Sequence, residues 1–298
     1  MKPCIELNSV TYFHSNSIGF TYSKNRILNN VSLNIYNGEI LCIVGESGSG
    51  KTTLVKIISG ILKANSGIIN YSKELVGSKK SIQILFQNSD ELLNPFRKVA
   101  DVLHDAKASD KSLEKILSDL NINKHLLESS CSSISGGERQ RIALARVMLT
   151  QPKVLILDEP FSAQDIDSKE NFKSLLTHLK KNQKMTLIIV THDVSLIENL
   201  ADRIVVIFGG RIMEISDTKK FFNFPRHPYS KFLLGSTRYK LPMESTNTQF
   251  EDIKSNCPYY SRCNQRDARC IDDIMIHSEK SSYVFCNNPY EEISNEGK

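Results

Sequence analysis

The sequence contains no hydrophobic run long enough to cross a membrane. A membrane-spanning helix needs about 18 or more consecutive apolar residues, and no stretch of the 298 residues reaches that length. Polar residues occur throughout the first ten positions, which contain no apolar core of a signal peptide. We therefore expect a cytosolic chain, for which a role at a membrane would require a partner.

The sequence also lacks a strong excess of charge of either sign. Its formal net charge is +5, with 24% charged and 40% hydrophobic residues, which is ordinary for a globular protein. This charge neither requires nor excludes nucleic acid or an anionic surface as a partner. The length is large for one domain and small for two large ones, so we expect one large domain with an appendage.

One glycine-rich stretch, residues 45–53, has the pattern of a phosphate-binding loop. It follows the apolar run Ile40–Val44 and precedes a segment with helical periodicity, which is the strand, loop and helix context that such a loop requires. Glycines let backbone N–H groups curl around a phosphate, and a helix that begins near Gly50 adds the positive end of its dipole. We expect Lys51 to reach the β- and γ-phosphates and the Thr52 hydroxyl to ligate Mg²⁺. The predicted nucleotide-binding positions here are Gly45, Ser47, Gly48, Ser49, Gly50, Lys51, Thr52 and Thr53.

Two carboxylates, Asp158 and Glu159, follow the apolar residues Val154–Leu157. Four apolar residues in a row predict a strand that is buried on both faces, and hence a parallel sheet. Carboxylates at the tip of such a strand are costly unless a metal or a reaction uses them. We therefore assign Asp158 to Mg²⁺ and Glu159 to the polarisation of a water molecule.

Two further predicted strands end in polar residues. Ile82–Phe86 ends at Gln87, and Leu187–Val190 is followed, after one residue, by His192. A lone histidine after a strand is more often structural than catalytic. The carboxyl ends of parallel strands meet at one edge of a sheet, however, and that position favours a functional role for His192.

A second candidate anion site begins at Ser135. This residue is a good N-cap, Glu138 three residues later completes a capping box, and an Ala- and Arg-rich helix follows. A merely well-capped helix would explain Ser135 and Glu138. It would not explain Gly136 and Gly137, which expose backbone N–H groups at a helix start.

Residues 5–35 alternate loosely between polar and apolar and contain turn signals at Asn25 and at Asn29-Asn30. This pattern predicts short antiparallel strands. An aromatic ring in this region could stack on adenine, and we assign that role to Tyr22. Tyr12 competes for the same role. An aromatic that fills the face of a sheet explains either residue about equally well.

Together these motifs resemble the ATP-binding cassette (ABC) ATPase family. In chain order they are the loop at 45–52, Gln87, Ile134-Ser-Gly-Gly-Glu138, Leu157-Asp-Glu159, Ser162-Ala-Gln-Asp165 and His192. The match spans roughly residues 5–220. The family usually has Gln where this sequence has Glu138, and Leu where it has Gln164. The resemblance implies an α/β fold, a P-loop NTPase core with a mixed, mostly parallel sheet, an antiparallel β subdomain and a helical insert at about 88–134.

The same resemblance implies that two such domains stack head to tail and enclose two ATP molecules. Each ATP would lie between the phosphate loop of one chain and Ser135-Gly136-Gly137 of the other, with Asp165 also at the nucleotide. Glu159 would orient the attacking water, and His192 would contact the γ-phosphate. The implied catalytic residues are Glu159, His192, Gln87 and Lys51, and the implied Mg²⁺ ligands are Thr52, Gln87 and Asp158.

The C-terminal part narrows the resemblance to the ATPases of oligopeptide, dipeptide and nickel importers. Phe221–Tyr229 is similar to a motif that follows the cassette in that subfamily, and a polar linker is expected at 236–256. We therefore divide the chain into an ABC ATPase domain at 1–220 and a cysteine-bearing extension at 221–298.

Membership of that subfamily implies import of oligopeptides, dipeptides, nickel or a metal chelate. The implied partners are a second ABC ATPase subunit, identical or paralogous, two transmembrane permease subunits and an extracytoplasmic substrate-binding protein. The chain would then lie at the cytoplasmic face of the inner membrane, with its helical insert docked on a permease.

Four cysteines in the extension need an explanation of their own. Cys257, Cys263, Cys270 and Cys286 have the spacing C-x5-C-x6-C-x15-C. Four thiolates suit a [4Fe–4S] cluster. Tetrahedral Zn²⁺ is a second interpretation, although the C-x2-C pairs usual for zinc are absent. Reduced thiols without a metal, or disulfides formed in air, are the third. Cys4, Cys42 and Cys131 are isolated, and Cys42 is expected in the core.

The competing function is a soluble ABC ATPase that acts on nucleic acid or ribosomes. Such proteins usually carry two cassettes in one chain or a long coiled-coil insertion. This sequence has one phosphate loop, one signature and no sustained heptads. We therefore expect no nucleic-acid partner.

Overall fold

The computed structural model describes residues 2–18, 21–78, 80–87, 93–161, 166–239, 255–279 and 282–291. The strands are β1 (Pro3–Ile18), β2 (Thr21–Tyr36), β3 (Ile40–Val44), β4 (Ser66–Tyr71), β5 (Ile82–Leu85), β6 (Val154–Asp158), β7 (Thr186–Thr191), β8 (Arg203–Phe208), β9 (Arg211–Asp217), β10 (Ile276–Glu279) and β11 (Ser282–Phe285). The α-helices are α1 (Lys51–Ile58), α2 (Lys73–Val76), α3 (Val99–His104), α4 (Asp110–Asp119), α5 (Gly136–Met148), α6 (Ile166–Gln183), α7 (Thr218–Asn223) and α8 (Pro228–Tyr239). Short 3₁₀ helices lie at Lys124–Glu128, Val194–Ile197, Tyr260–Arg262 and Ala268–Cys270. Among these described helices, none combines the length and the apolar character that crossing a membrane would require.

The chain divides into two compact units. The first unit comprises residues 1–5, 35–40 and 71–190, and the second comprises residues 6–34, 41–70 and 191–298.

The first unit contains the parallel strands β5, β6 and β7, with β6 paired to both of the others. Val154 of β6 is opposite Ile82 of β5 and opposite Thr186 of β7. Every residue of β6 and β7 is buried, as expected for parallel strands that are covered on both faces. The parallel sheet predicted from the apolar run Val154–Leu157 is confirmed.

Helices α3 and α4 and the 3₁₀ helix Lys124–Glu128 lie in the region predicted as a helical insert. The Ser109 hydroxyl caps α4 by accepting a hydrogen bond from the Ser112 N–H. α3 packs against both α5 and the 3₁₀ helix. The side chains of the insert that are buried at helical spacing are Val99, Val102, Leu103, Ile116, Leu117 and Leu120.

The second unit contains most of a three-stranded sheet in the order β2-β1-β4, and a separate set of strands in the order β10-β11-β9-β8-β3. β3 and β8 are parallel, and β8 and β9 form an antiparallel hairpin around Gly209 and Gly210. In β3 all five residues are buried, including Cys42. The strand that leads into the phosphate loop is therefore held in the core.

The prediction of short strands in residues 5–35 was wrong, because β1 and β2 are 16 residues long each. The apparent turn signal at Asn29 and Asn30 lies inside β2, where Asn30 has a φ of 55°. Asparagine tolerates this left-handed conformation better than most residues. The signal therefore marks a local irregularity within a strand and not a reversal of the chain.

The extension adds a hairpin to the second unit. β10 and β11 are antiparallel, and Tyr283 of β11 pairs with Ile215 of β9.

The start of the polar linker predicted at 236–256 was wrong, because residues 236–239 belong to helix α8. That helix begins at Pro228 and continues through polar residues that include no proline to end it.

Candidate functional site

The phosphate loop in the second unit has a backbone that its glycines make possible. Gly45, Gly48 and Gly50 have φ values of 155°, 78° and 104°. Residues other than glycine rarely adopt this backbone conformation. A Cβ at Gly50 would also lie 2.9 Å from the Leu28 Cδ2. The loop then enters α1 at Lys51, so the predicted strand, loop and helix are confirmed.

Two side chains of the loop are buried where a phosphate would be held. The Lys51 side chain is buried, and its Nζ donates hydrogen bonds of 2.7 Å to the Gly45 carbonyl and 2.8 Å to the Glu46 carbonyl. The buried Ser49 Oγ has no hydrogen-bond partner among the described residues. A buried hydroxyl of this kind is costly unless a ligand completes its hydrogen bonds, and a triphosphate would do so. Ser47 and Thr52 are exposed, and Thr53 is half-buried.

Within the loop, the Glu46 side chain forms an ion pair with Arg262. Both of its carboxylate oxygens accept hydrogen bonds of 2.9 Å from the Arg262 guanidinium. Its backbone N–H donates to the Tyr229 hydroxyl at 3.0 Å. Arg262 and Tyr229 both belong to the extension, so the extension contacts the loop directly.

His192 also lies in the second unit and is exposed directly after β7. The next residue, Asp193, caps the 3₁₀ helix that follows by accepting a hydrogen bond of 3.0 Å from the Ser195 N–H. The Asp193 N–H in turn donates to the Thr191 hydroxyl at 3.1 Å. These local hydrogen bonds stabilise the backbone conformation of residues 191–195, which include His192.

Asp158 and Glu159 end β6 in the first unit. Asp158 is buried, whereas Glu159 is half-buried and has a φ of 53°. The Glu159 N–H donates to the Val190 carbonyl at 2.9 Å. A left-handed conformation at a glutamate costs free energy relative to the ordinary helical or extended conformations. Gln87 lies in the same unit and is exposed in the turn after β5.

The N-terminus of α5 is the second predicted anion site. Ser135 and Glu138 form the predicted capping box: the Ser135 hydroxyl accepts from the Glu138 N–H, and the Glu138 Oε2 accepts from the Ser135 N–H at 2.8 Å. The hydrogen bonds that the Ser135 N–H and hydroxyl donate to the Glu138 carboxylate lower its pKa. Gly136 and Gly137 are exposed, and a Cβ on Gly136 would meet nothing within 4 Å. Packing among the described residues therefore does not require glycine at position 136.

The four cysteines of the extension line one small cavity together with His227. Cys270 and Cys286 are buried, and Cys257 and Cys263 are half-buried. Burial, with a smaller contribution from the neighbouring thiols, raises the pKa of Cys257 to about 11 and that of Cys286 to about 12. Within the described part of the chain, no group of three or more His, Cys, Asp or Glu side chains is arranged as a ligand set for one metal ion.

Comparison with known proteins places these features in a family. The family model "ABC transporter" matches residues 28–162, and "Oligopeptide/dipeptide transporter, C-terminal region" matches residues 213–270. A curated relative, the "Probable D,D-dipeptide transport ATP-binding protein DdpF" of Escherichia coli (strain K12), is 34% identical over 265 residues, which cover 83% of this chain and 85% of the relative. This chain belongs to the ABC transporter family of ATPases.

Further relatives and solved structures agree with this assignment. The cassette is 33% identical over 244 residues to the "Oligopeptide transport ATP-binding protein OppF" of Streptococcus mutans, covering 74% of this chain and 79% of the relative. It superposes on cbiO1 from Clostridium perfringens, part of the ABC transporter complex cbiONQ, with a TM-score of 0.65 and 28% identity over 75% of this chain and 92% of that one. A dimeric post-hydrolysis structure of the cassette MJ0796, bound to ADP and phosphate, gives a TM-score of 0.60 and 26% identity over 72% and 98%.

Several predicted site residues of the cassette are not brought together within one unit. The phosphate loop and His192 lie in the second unit, whereas Gln87, Ser135-Gly136-Gly137, Asp158 and Glu159 lie in the first. Tyr22 lies in β2 with its side chain outside the described part, and its competitor Tyr12 is half-buried in β1. Asp165 lies outside the described residues.

Sequence reasoning missed the contacts that Arg262 and Tyr229 make with Glu46. Glu46 occupies a variable position of the loop pattern, so the pattern itself gives it no role. A signal was nevertheless present, since Tyr229 ends the Phe221–Tyr229 motif and Arg262 precedes Cys263. Only the fold could show that both reach the loop.

Proposed function

We propose that this ABC ATPase powers an importer of oligopeptides or dipeptides. The observation that carries the proposal is that one chain combines a formed phosphate loop with the C-terminal region that the oligopeptide and dipeptide transporter family model describes. The relatives named for D,D-dipeptide and oligopeptide transport favour peptides over nickel or a metal chelate. The functional division that we propose remains a cassette at 1–220 and an extension at 221–298.

In this proposal the cassette's own residues have separate tasks. Lys51 and the loop N–H groups hold the phosphates, and Tyr22 stacks on the adenine. Thr52, Gln87 and Asp158 are the residues that we assign to Mg²⁺, which would supply positive charge to the phosphate oxygens when bound.

The remaining residues act on the attacking water and the γ-phosphate. Glu159 orients and deprotonates the water, and His192 donates to the γ-phosphate. Ser135-Gly136-Gly137 and Asp165 of a second ATPase subunit, identical or paralogous, complete the site from the other side.

The proposed assembly contains that second ATPase subunit, two permease subunits and an extracytoplasmic substrate-binding protein, with this chain at the cytoplasmic face of the inner membrane. Affinity purification of the tagged chain from solubilised membranes tests it. We expect permease and ATPase subunits to co-purify, and labelled peptide to accumulate in cells that carry the intact system. Recovery of nucleic acid or ribosomes that dissociate steeply with salt, in place of membrane proteins, would contradict the proposal and favour the soluble alternative.

We further propose that a coupling helix of the permease docks in a groove of the first unit. The groove is lined by apolar side chains together with the charged residues Lys80, Asp105 and Arg146, a combination that suits an amphipathic helix. The carboxylate of Asp105, one of the lining residues, accepts two hydrogen bonds of 2.6 and 3.0 Å from the Arg97 guanidinium. Residues that line the groove include Lys80, Leu85, Phe86, Leu93, Asp105, Ala106, Ala143, Arg146 and Val147.

Val147→Arg is expected to uncouple the cassette from the permease. The long charged side chain would occupy the groove, so we expect co-purified permease to fall by about tenfold or more. ATP binding by the isolated chain should be unchanged. Val76→Arg is the matched control, because Val76 is 72% exposed and is not part of the groove. Equal permease recovery from the two variants would contradict docking in this groove.

For the extension we propose that Cys257, Cys263, Cys270 and Cys286 hold a [4Fe–4S] cluster. The supporting observation is that four thiols far apart in sequence line one cavity. This convergence alone supports the proposal, because no formed ligand set for a metal ion is present among the described residues. A [4Fe–4S] cluster would need all four thiolates. The raised thiol pKa values oppose ionisation, but a bound cationic centre reverses that tendency.

Anaerobic purification followed by iron, zinc and acid-labile sulfide assays tests the cluster. We expect iron and sulfide in about equal amounts, and Cys286→Ser should lose most of both, since a cluster of this type requires all four thiolates. Cys131→Ser, at a buried cysteine in the first unit, should retain them. Zinc without sulfide would support the tetrahedral zinc site instead. Colourless protein with neither metal would eliminate both metal interpretations.

A further inference from the structure

Glu46 connects the phosphate loop to the extension through its carboxylate and its N–H, while its carbonyl bonds within the loop. Its carboxylate is bound by Arg262 in a bidentate pair with two hydrogen bonds of 2.9 Å. Its N–H donates to the Tyr229 hydroxyl, and its carbonyl accepts from Lys51 Nζ at 2.8 Å. The two side chains of the pair are only 20% and 25% exposed, so solvent screens their attraction less than that of a surface pair.

Arg262 is itself held in place by aromatic rings. Its guanidinium lies 5.4 Å from the Phe208 ring centroid, 5.3 Å from Phe232 and 5.6 Å from Tyr259. Tyr259 is buried and contacts both Phe208 and Tyr229 edge-on or tilted, at 5.3 and 5.1 Å. Cation–π contacts of this kind favour one orientation of the guanidinium, so Arg262 is a fixed support for the loop.

The same two residues lead back to the cysteine cavity. Arg262 is followed directly by Cys263, and the Tyr229 N–H donates to the His227 Nδ1 at 3.0 Å. Cys263 and His227 both line the cavity. Two short connections therefore run from the wall of the cavity to Glu46, one through Arg262 and one through Tyr229.

We propose that Arg262 and Tyr229 are positioning residues for the phosphate loop, and that through them the state of the cysteine cavity and the affinity for ATP are coupled. The inference depends on the proposed use of this loop for ATP. A displacement of the cavity wall moves Arg262 or Tyr229 and so changes the conformation that Glu46 holds. Coupling is reciprocal in binding equilibria, so ATP must also change the accessibility of the thiols.

A double-mutant cycle tests the first half of the proposal. Arg262→Gln and Glu46→Gln should each raise the Kd and the KM for ATP by about five- to tenfold, with kcat at saturation within about twofold. The double variant should be no weaker than either single variant, because both changes remove the same contact. Arg262→Lys should restore part of the affinity, and Tyr229→Phe, which keeps the ring, should weaken binding without unfolding the protein. Lys124→Gln is the control, since Lys124 forms an exposed pair with Glu114 in the first unit and does not line the cavity.

Alkylation of the thiols tests the second half. ATP should slow the reaction of Cys263 with iodoacetamide, measured by mass spectrometry at each cysteine, and this protection should disappear in Arg262→Gln. Additive effects in the cycle, or equal alkylation rates with and without ATP in the wild-type protein, would overturn the coupling while leaving ATP binding intact. Failure of the wild-type protein to bind ATP would overturn the proposed function as well.

Discussion

Glu159→Gln is expected to reduce ATP turnover by about 100-fold or more while ATP binding remains near the wild-type value. The amide keeps the size and the position of the side chain but cannot accept a proton from the attacking water, and general-base catalysis commonly contributes this much. Glu159 ends a buried strand with a φ of 53° and with its N–H bonded to the Val190 carbonyl. The backbone therefore holds the side chain in position independently of its charge.

Single-turnover and steady-state assays, together with equilibrium binding of ATP, check this prediction. Because the unhydrolysed nucleotide would continue to join two cassettes, a long-lived dimer should accumulate on size exclusion in the presence of ATP. Glu198→Gln is the matched control, since Glu198 is exposed and lies outside the proposed site. Unchanged turnover in Glu159→Gln would remove the assignment of the general base.

Lys51→Ala is expected to weaken ATP binding by at least about 30-fold, because removal of one partner of a buried charge pair costs several kcal/mol. Lys51 is 7% exposed, and its Nζ is held at 2.7 Å from the Gly45 carbonyl. Alanine removes the positive charge offered to the phosphates and also removes the donor shared by two loop carbonyls. Both losses act on the loop and neither changes the strand β3 before it.

Isothermal titration with ATP measures this effect, and thermal unfolding shows whether the variant is folded. Lys56→Ala is the control, because Lys56 lies on the same helix, outside the loop. It should bind ATP normally. Wild-type affinity in Lys51→Ala would reject the phosphate site, and with it the coupling inferred through Glu46.

Glu159→Gln, Lys51→Ala and Arg262→Gln distinguish three contributions to ATP binding and hydrolysis. Glu159→Gln affects hydrolysis after binding, Lys51→Ala affects binding directly, and Arg262→Gln affects binding through the support of the loop. An extension that stabilises the loop gives a physical reason for the presence of a cysteine-bearing region on a nucleotide-binding cassette. Loss or modification of its thiols would then reduce the affinity for ATP.

The sequence alone determined the features that depend on interactions between neighbouring residues. The loop at 45–53 can be recognised from the sequence because its left-handed positions require glycine and a helix must follow directly. The capping box of Ser135 and Glu138 and the buried strand Val154–Asp158 are readable for the same reason, since each is decided by a few adjacent residues.

Tertiary structure decided the features that join distant parts of the chain. Glu46 and Arg262 are 216 residues apart, and no periodicity or spacing relates them. The convergence of four cysteines on one cavity and the length of β1 and β2 likewise depend on packing and strand pairing, which override local turn signals such as Asn29 and Asn30. The loop was therefore predictable from its own residues, whereas its support from the extension was not, because a long-range contact forms only when the whole chain is folded.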